Sequence, residues 1–440
     1  MEGARRALRW GLRHGIFRQV IRRRIGGGDE TARFLLDPSM SVDPYLYYDD
    51  VRTRGRLVDN GMVLNTCHHD VATAVLRSQD FGVAGPPEDE DLPAPLRLAA
   101  RVAGRGPLGP GEPPSMLTTN PPDHTRYRKL VTRGFSARVV ATLRSRTEQV
   151  AAELLDEMAG RGTSADLVRD YAALLPATVI AEMLGAPAEM RGQFLEWGAG
   201  AALSLDAGLT YRDFVRSEKD ITALQEWMAG HFARLRRSPG EDTTILSALL
   251  SARDGDGRLS EDELLSIAML LLAAGFETTV NLIGNGAALL TSHPDQLAVL
   301  TAEPQRWPTA VDEMLRIDSP VQRTGRMATR DTEVAGERVR AGQFVVIMLG
   351  GANRDPAVFP EPARFDVTRA NAGEHLAFSS GIHYCLGAGL ARMEGEVALR
   401  ALFERFPDLA PAGPPHRRPT RTLRGWDAMP VTLQPSTVDA

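Results

Sequence analysis

A long apolar segment in the second half of the chain constrains the fold more than any other feature. Ser260 and Glu263 form an S-x-x-E capping box directly before this periodic stretch, and His293-Pro294 marks its end. A helix of this length extends roughly 48 Å at ~1.5 Å per residue, which is enough to cross a whole domain. The near-continuous apolar run from Leu264 is shorter than the ~20 residues that a membrane span needs. We therefore expect a central helix of a core, and no membrane span.

The remaining pattern predicts a mainly α-helical fold with a small β region. Apolar residues recur at three- and four-residue spacing from Asp123 to about Ser292. After Pro320 the chain changes to short alternating segments, with turns at Ala335-Gly336 and Ala341-Gly342. A last helix is expected from residue 386 to about residue 406. Because no interior linker separates independent units, we expect one domain over residues 29–440.

The charge and the cysteine content exclude some functional classes. The 440 residues include 51 Lys and Arg against 56 Asp and Glu, a net charge of -5, which argues against a nucleic-acid binder. The two cysteines, Cys67 and Cys385, are far apart in sequence and do not form a disulfide framework. We therefore predict a cytoplasmic, reducing location.

Residues 1–28 are expected to form a separate basic extension. The first 24 residues carry eight arginines and one glutamate, and Leu8, Leu12, Ile16 and Val20 follow at i+4 spacing, with Phe17 and Ile21 beside them. This pattern predicts a basic amphipathic helix. Two interpretations stay open: residues 1–25 make peripheral contact with an anionic membrane or an acidic partner, or they are a solvated or locally packed extension.

The stretch "FSSGIHYCLGAG" places Cys385 between a glycine-containing turn and the expected start of the last helix. Unpaired N–H groups and the positive end of the helix dipole there favour the thiolate. The residues of this stretch leave four roles open. Cys385 could be a nucleophile, a zinc ligand with His375 and His383, an axial ligand of haem, or a buried structural cysteine.

Five stretches in their order along the chain resemble the cytochrome P450 family, and the resemblance extends from about Asp43 to the C-terminus. "FSSGIHYCLG" fits the pattern F-x-x-G-x-x-x-C-x-G, and "AAGFETT" is similar to the oxygen-activation motif of the family. "EMLR" resembles the E-x-x-R pair, "FPEPARF" the meander segment and "HTRYR" the haem-contacting helix. The resemblance implies the P450 fold, with haem between the long central helix and the cysteine loop with its last helix.

The resemblance also implies the cofactor and its site. The cofactor is haem b (iron protoporphyrin IX), with Cys385 as the iron ligand. The residues implied to contact haem are His124, Arg128, Ala274, Gly275, Arg326, Phe378, His383, Cys385 and Gly387. Of these, the basic residues His124, Arg128, Arg326 and His383 would bind the two anionic propionates.

Glu277 and Thr278 are the catalytic residues that the resemblance implies. A threonine that bonds back to a helix carbonyl can bend the helix, and with Gly275 just ahead this would open a groove for oxygen. Thr278 would donate a hydrogen bond, and Glu277 would supply protons through water. Glu313 and Arg316 are expected to form a buried structural pair, which Arg364 completes.

The sequence departs from the family pattern at two positions. Ser379 stands where the family usually has glycine, so we expect the backbone geometry of the cysteine turn to differ slightly at this residue. Asn120 replaces an acidic residue that is common before "PPDH". Neither change removes a ligand or a proton donor.

The implied activity is that of a haem-thiolate monooxygenase, which inserts one oxygen atom from O2 into a small hydrophobic substrate by hydroxylation or epoxidation. Electrons from NAD(P)H would arrive through a ferredoxin reductase and a ferredoxin, with Arg133 and Arg392 as candidate docking residues. We expect a monomer. The alternatives are a peroxide-driven or nitric-oxide-reducing haem-thiolate enzyme and a non-catalytic haem or ligand-binding protein.

The segments predicted to line a substrate pocket share an apolar character, which suggests a terpenoid, steroid, fatty acid or polyketide. They are residues 85–117, residues 203–215, Leu271, Ala274, residues 321–325 and Trp426.

Overall fold

The computed structural model describes residues 2–37, 39–84, 93–237, 244–251 and 259–433. These residues are mostly helical, as predicted. The α-helices in chain order are α1 Glu2–Trp10, α2 Ile16–Gly26, α3 Glu30–Leu36, α4 Ser39–Val42, α5 Tyr45–Arg54, α6 His69–Arg77, α7 Ala94–Ala103, α8 Asp123–Val131, α9 Ala137–Gly160, α10 Leu174–Met183, α11 Arg191–Leu203, α12 Tyr211–Arg237, α13 Ile245–Ser251, α14 Glu261–Ser292, α15 Pro294–Ala302, α16 Trp307–Ile317, α17 Leu349–Ala352 and α18 Ala388–Arg405.

The strands are short and form small sheets, which confirms the predicted β region after residue 320. They are β1 Val58–Asp59, β2 Leu64–Thr66, β3 Phe81–Gly82, β4 Ser164–Asp166, β5 Thr324–Ala328, β6 Thr332–Val334, β7 Glu337–Val339, β8 Phe344–Ile347, β9 Ala410–Pro411, β10 His416–Arg417, β11 Trp426–Ala428 and β12 Pro430–Thr432. The largest sheet has the order β1-β2-β8-β5-β3, in which β2 and β8 are parallel and the other neighbours antiparallel.

The contacts between Cα atoms divide the chain into two units. Unit 1 contains Met1–Pro44, Val83–Val131 and Met183–Ala274, and unit 2 contains Tyr45–Gly82, Thr132–Glu182 and Gly275–Ala440. In unit 2 the sheet carries an apolar core that includes Val75 and Val345 and closes against α6 and α17. The prediction of one domain over residues 29–440 stays a prediction.

The predicted central helix is confirmed at both ends. The Ser260 amide donates to the Glu263 carboxylate at 2.7 Å, and the Glu263 amide lies 3.3 Å from the Ser260 hydroxyl, so the capping box is formed. The helix α14 ends at Ser292, before His293. By length and composition α14 could cross a membrane, but 78% of its most apolar 18-residue window is buried inside the protein, as expected for a core helix.

Glycines bring α14 and α18 into close contact within unit 2. A Cβ atom on Gly395 would lie 2.8 Å from the Leu282 side chain, and one on Gly286 would lie 2.6 Å from Leu399. Larger residues would therefore force the two helices apart. The contacts advance along both helices together, so α14 and α18 run in the same sense.

The N-terminal segment is helical, as predicted, and its predicted apolar face is only partly buried. Ile16 and Val20 are 50% and 42% exposed, whereas Ile21 is fully buried. A π-helical turn at Gly11–Gly15 separates α1 from α2. Because a π turn adds a residue to the helical repeat, it rotates the face that a regular 3.6-residue period would bury.

The N-terminal helices pack on α12 within unit 1. Arg9 binds both carboxylate oxygens of Glu218, at 2.8 and 3.0 Å, and both side chains are almost completely buried. The indole of Trp10 donates to the carbonyl of Leu209 at 2.9 Å. Local packing is therefore observed for this segment, and contact with a membrane or an acidic partner stays a prediction.

Candidate active site

The cysteine loop is a tight turn held by its own backbone. The Cys385 amide donates to the carbonyl of Phe378 at 2.9 Å. Ser379 has φ 61°, the left-handed conformation that favours glycine. The turn thus keeps the backbone conformation that glycine would adopt, and Ser379 adopts it with backbone strain. Gly381 has φ 70°, and a Cβ atom there would overlap the carbonyl oxygen of Leu76.

Cys385 lies just before α18, which begins at Ala388, two residues later than predicted. Cys385 is exposed, whereas Cys67 is buried. The role of a buried structural cysteine therefore suits Cys67 and not Cys385. Among the described residues, Cys385 does not join His375 or His383 in a group of possible metal ligands. The zinc interpretation consequently has no support in this part of the chain.

His375 has a structural environment. Its ring nitrogen Nε2 lies 3.2 Å from the carboxylate of Asp312, and its Nδ1 accepts the amide of Ala377. Burial lowers the pKa of His375 although the hydrogen bond with Asp312 opposes this effect. Arg392 donates to the same carboxylate at 2.7 Å. The group links α16, the cysteine loop and α18.

Glu277 and Thr278 lie on α14, directly before the residue through which this helix bonds to α18. Glu394 on α18 shares a hydrogen bond with Thr279, and the parallel contacts of the two helices continue from there. Because α18 begins at Ala388, less than two turns before Glu394, the Cys385 loop lies at the end of α18 that is nearest this contact. The two helices that carry the motifs, more than 100 residues apart in sequence, are thus in direct contact.

The helix α14 is not opened into the predicted groove. The α-helical assignment of α14 continues without a break through Thr278. The hydroxyl that lies near the Gly275 carbonyl, at 3.4 Å, is that of Thr279. A Cβ atom on Gly275 would lie 3.0 Å from Ile180, so this glycine is needed for the packing of α10 on α14. Thr278 itself is half-buried.

Glu277 is buried and forms an ion pair with Arg418 near the C-terminus. A buried charged group needs such a partner, because burial removes its contacts with water. Arg418 also donates through Nε to the carbonyl of Trp426 at 3.0 Å. The sequence motif indicates Glu277 but not its partner, since nothing in the sequence relates two residues 141 positions apart.

A second buried carboxyl was also missed. Glu394 is 1% exposed, and one of its oxygens has no hydrogen-bond partner among the described residues. Burial raises the pKa of Glu394 well above its ordinary value of 4.5, although the hydrogen bond with Thr279 opposes this effect. We therefore assign it a neutral carboxyl group. The available signal was an acidic residue among the apolar residues of the last helix.

Arg326 tests whether the site suits an anionic group. It lies in β5 and is 4% exposed, and its hydrogen bonds go to the hydroxyl of Thr324 and the carbonyl of Gly325. Among the described residues no carboxylate forms an ion pair with it. Burial lowers its pKa to about 10. A desolvated guanidinium of this kind is stabilised by an anion such as a carboxylate, so it fits the predicted propionate contact.

In unit 1, His124 and Arg128 lie on the predicted helix α8. They are four residues apart and so share one face. The neighbouring face is anchored to the start of α14, because Arg126 and Tyr127 both bind the carboxylate of Glu263, at 2.9 and 2.8 Å. The side chain of His124 is buried. Ala274, at the end of the part of α14 in unit 1, is exposed.

Asn120 precedes α8 and has a structural role. Its amide donates to the carbonyl of Val83 and accepts the amide of the same residue, both at 2.9 Å. An acidic residue could make only the second of these bonds while ionised.

The remaining predicted residues of unit 2 surround the cysteine. Phe378 is buried, and the guanidinium of Arg392 lies 4.6 Å from the centre of its ring. His383 ends a 3₁₀ turn and is half-buried, and Gly387 is the N-cap residue of α18.

The E-x-x-R pair is buried as predicted, but its third member was predicted wrongly. Arg316 binds Glu313 at 2.6 and 2.8 Å, and both side chains are fully buried. Arg369, not Arg364, completes the group, with Nε 3.1 Å from Glu313. The side chain of Arg364 is 57% exposed and binds Glu361. Arg364 contributes only its backbone carbonyl, which accepts from Arg316 and Arg369.

Comparison with known proteins decides the family. A family model described as Cytochrome P450 matches residues 308–425. The "Putative cytochrome P450 140" of Mycobacterium bovis is 48% identical over 430 residues, which cover 98% of each chain. The chain belongs to the cytochrome P450 family.

Further relatives agree with this assignment. The "6-deoxyerythronolide B hydroxylase" of Saccharopolyspora erythraea is 45% identical to this cytochrome P450 over 72% of the chain and 78% of the relative. The crystal structure of P450BioI in complex with an acyl carrier protein superimposes with a TM-score of 0.80 at 31% identity, over 90% of this chain and all of that one. The P450 fold and the family are thus confirmed, and the family implies a haem-thiolate iron cofactor.

Proposed function

We propose that this cytochrome P450 is a monooxygenase that inserts one oxygen atom from O2 into a small hydrophobic or amphipathic substrate. The observation that supports the proposal is the contact between the helices that carry the two motifs, because Glu394 of α18, which follows the exposed Cys385, shares a hydrogen bond with Thr279 of α14, next to Thr278. A group bound by the cysteine would face the acid and the alcohol of α14 under this proposal. The relative named as a hydroxylase supports hydroxylation as the reaction.

The residues of this chain would divide the work as follows. Cys385 would hold the iron of haem, which supplies the activation of O2 when it is bound. Arg326 and His383 would bind the propionates, and the sequence motif assigns His124 and Arg128 to the same task. Phe378, Gly387, Ala274 and Gly275 would contact the cofactor.

Proton delivery would rest on two residues. The hydroxyl of Thr278 would donate a hydrogen bond to the oxygen, and Glu277 would pass protons to it through water. General acid–base groups of this kind contribute about 10²- to 10⁴-fold to a rate. This division of roles is what separates the monooxygenase from the alternatives, since a peroxide-driven enzyme or a haem sensor has no use for a proton path.

The test is reconstitution with ferredoxin, ferredoxin reductase and NADPH, with product analysis for candidate terpenoids, steroids, fatty acids and polyketides. Substrate-dependent product that requires the electron donors supports the proposal. Thr278→Ala should divert electrons to peroxide, whereas Thr291→Ala, a control on the same helix, should not. Product from hydrogen peroxide alone would favour the peroxide-driven alternative. A reduced CO complex without the Soret band of a thiolate ligand would refute the assignment of Cys385.

The partners and location follow as proposals. Electrons from NAD(P)H would enter through a ferredoxin that docks near the exposed residues Ile382 and Tyr384 beside Cys385. Arg133 is exposed and stays a candidate for this contact, whereas Arg392 is engaged with Asp312. The bacterial relatives support a cytoplasmic location. A monomer is proposed, and sedimentation analysis tests it.

Peripheral membrane contact by residues 1–25 also stays a prediction. The exposed groups that would make it are Ile16 and Val20, together with Arg22 and Arg23. Sedimentation with vesicles containing phosphatidylserine, compared between the protein and its Arg22→Gln/Arg23→Gln variant, tests this contact.

The predicted substrate-lining segments remain proposals. Residues 85–92 of the predicted loop lie outside the described residues. Leu271 is buried on α14. Trp426 is half-buried, and its Cδ1 atom would lie 3.3 Å from a Cβ atom added to Gly284.

A further inference from the structure

Three polar residues form a buried stripe along one face of α14. Glu277, Asn281 and Asn285 follow at i, i+4 and i+8, and none is more than 4% exposed. Residues at this spacing lie one above another on a helix. Buried polar side chains need hydrogen-bond partners, so the element that covers this stripe must supply them.

The C-terminal hairpin, residues 416–428 with β10 and β11, covers the stripe. Arg418 forms the ion pair with Glu277. The preceding Arg417 donates to the side-chain oxygen of Asn285 at 2.9 Å and binds Asp318 at 3.0 Å. Two consecutive arginines thus bind the two ends of the stripe.

Glycines allow this close contact. A Cβ atom on Gly425 would overlap the amide of Asn281, and one on Gly284 would lie 3.3 Å from Trp426. The hairpin therefore rests directly on α14, with the Trp426 ring beneath the guanidinium of Arg417 at 3.5 Å. The position of Arg418 relative to Glu277 is fixed by this packing and by the hydrogen bond of Arg418 to the Trp426 carbonyl.

The middle of the stripe lacks protein partners among the described residues. Neither amide atom of Asn281 has a hydrogen bond, nor has the indole Nε1 of Trp426, although these atoms are buried. Gly425 lies against Asn281, and the next residue, Trp426, lies against Gly284, which is three residues further along α14. Buried polar groups that lack protein partners are commonly bound by internal water.

We propose that Arg418 is a positioning residue for Glu277, and that water bound between Asn281 and Trp426 supplies the protons that Glu277 passes on. The inference rests on the proposed monooxygenase function. In each transfer the carboxylate of Glu277 accepts a proton from this water and gives a proton toward Thr278, and the hydroxide left at the water site takes a proton from solvent, so each O–H bond that breaks is matched by one that forms and no electrons move. Arg418 holds the carboxylate of Glu277 in place between transfers through their ion pair.

The first experiment compares Arg418→Gln with Arg418→Lys and with the matched control Arg417→Gln. The control loosens the same hairpin but removes no contact of Glu277. We expect Arg418→Gln to lower the product formed per NADPH about tenfold, a part of the usual acid–base contribution, and to increase the solvent deuterium isotope effect on turnover. Arg418→Lys should restore most of both values, and Arg417→Gln should lower the melting temperature without changing the isotope effect.

Two results would overturn the role of Arg418. One is an unchanged isotope effect and product yield in Arg418→Gln, and the other is the same change in Arg417→Gln, which would assign the effect to loss of the hairpin. A wild-type protein that shows the thiolate CO band but forms no product would instead contradict the proposed function.

The water site has a readout that is independent of turnover. A high-resolution crystal structure should show ordered water within hydrogen-bond distance of the Asn281 amide and of Trp426 Nε1, and this water should be lost in Asn281→Leu. A dry wild-type site would refute this part of the inference.

Discussion

Arg369 donates to the buried carboxylate of Glu313 at 3.1 Å, from a position 56 residues further along the chain. Together with Arg316 it surrounds one carboxylate with two guanidinium groups, and the carbonyl of Arg364 accepts from both of them. This arrangement joins α16 to the segment before the cysteine loop.

We expect Arg369→Ala to destabilise the protein by about 3 kcal/mol, because breaking a buried ion pair leaves polar groups without their partners. Arg364→Ala is the matched control and should change the stability little, since its exposed side chain makes only a surface pair. Urea unfolding of the haem-loaded protein measures both. Equal losses in the two variants would contradict the assignment.

Ser379→Gly should stabilise the cysteine loop by about 1 kcal/mol, because glycine adopts the left-handed conformation at φ 61° without the strain that serine carries. The serine hydroxyl has no partner among the described residues, so little is lost with it. Ser380→Gly is the comparison: its backbone is extended and its hydroxyl accepts from Arg77 at 2.8 Å. That change should destabilise. Thermal unfolding distinguishes the two, and a lower melting temperature for Ser379→Gly would show that the turn is not strained.

Glu394→Gln should make stability less dependent on pH. Because the folded-state pKa of Glu394 is raised, its contribution to stability is complete below about pH 4.5 and is lost as the pH rises toward the folded-state pKa. Because glutamine stays neutral, the free energy of unfolding of the variant should rise relative to that of the wild type by about 1.4 kcal/mol for each pH unit in that window. Denaturant unfolding at pH 5 and pH 7 tests this, with Glu396→Gln, whose parent residue pairs with Arg144, as control. A difference that does not vary with pH would mean that Glu394 is ionised in the folded protein.

Arg9→Ala should destabilise unit 1 by about 3 kcal/mol, because it leaves the carboxylate of Glu218 buried with a weaker partner in Arg6. Arg5→Ala, at an exposed position on the same helix, should have almost no effect. Limited proteolysis should cut the Arg9→Ala protein earlier within residues 2–26. Resistance equal to that of the wild type would show that the helix is held mainly by its apolar contacts.

The residue pattern by itself determined the mainly helical fold, the limits of α14 and the motifs that resemble the family. These features are local: a capping box, an apolar period and a proline act within a few residues of themselves. The sequence also indicated the exceptional turn at Ser379, since a residue that replaces glycine must either change the turn or adopt its conformation.

Only the tertiary structure decided which distant residues meet. Arg369 replaced Arg364 beside Glu313, Arg418 was found beside Glu277, and Ile16 and Val20 were left exposed by the π turn after α1. Each of these outcomes depends on the rotation of a helix or on the path of the chain between two distant segments. Patterns among residues that are neighbours in sequence do not contain this information. For the same reason Arg9, which reads as one of several surface arginines, became the buried partner of Glu218 only when α1 packed on α12.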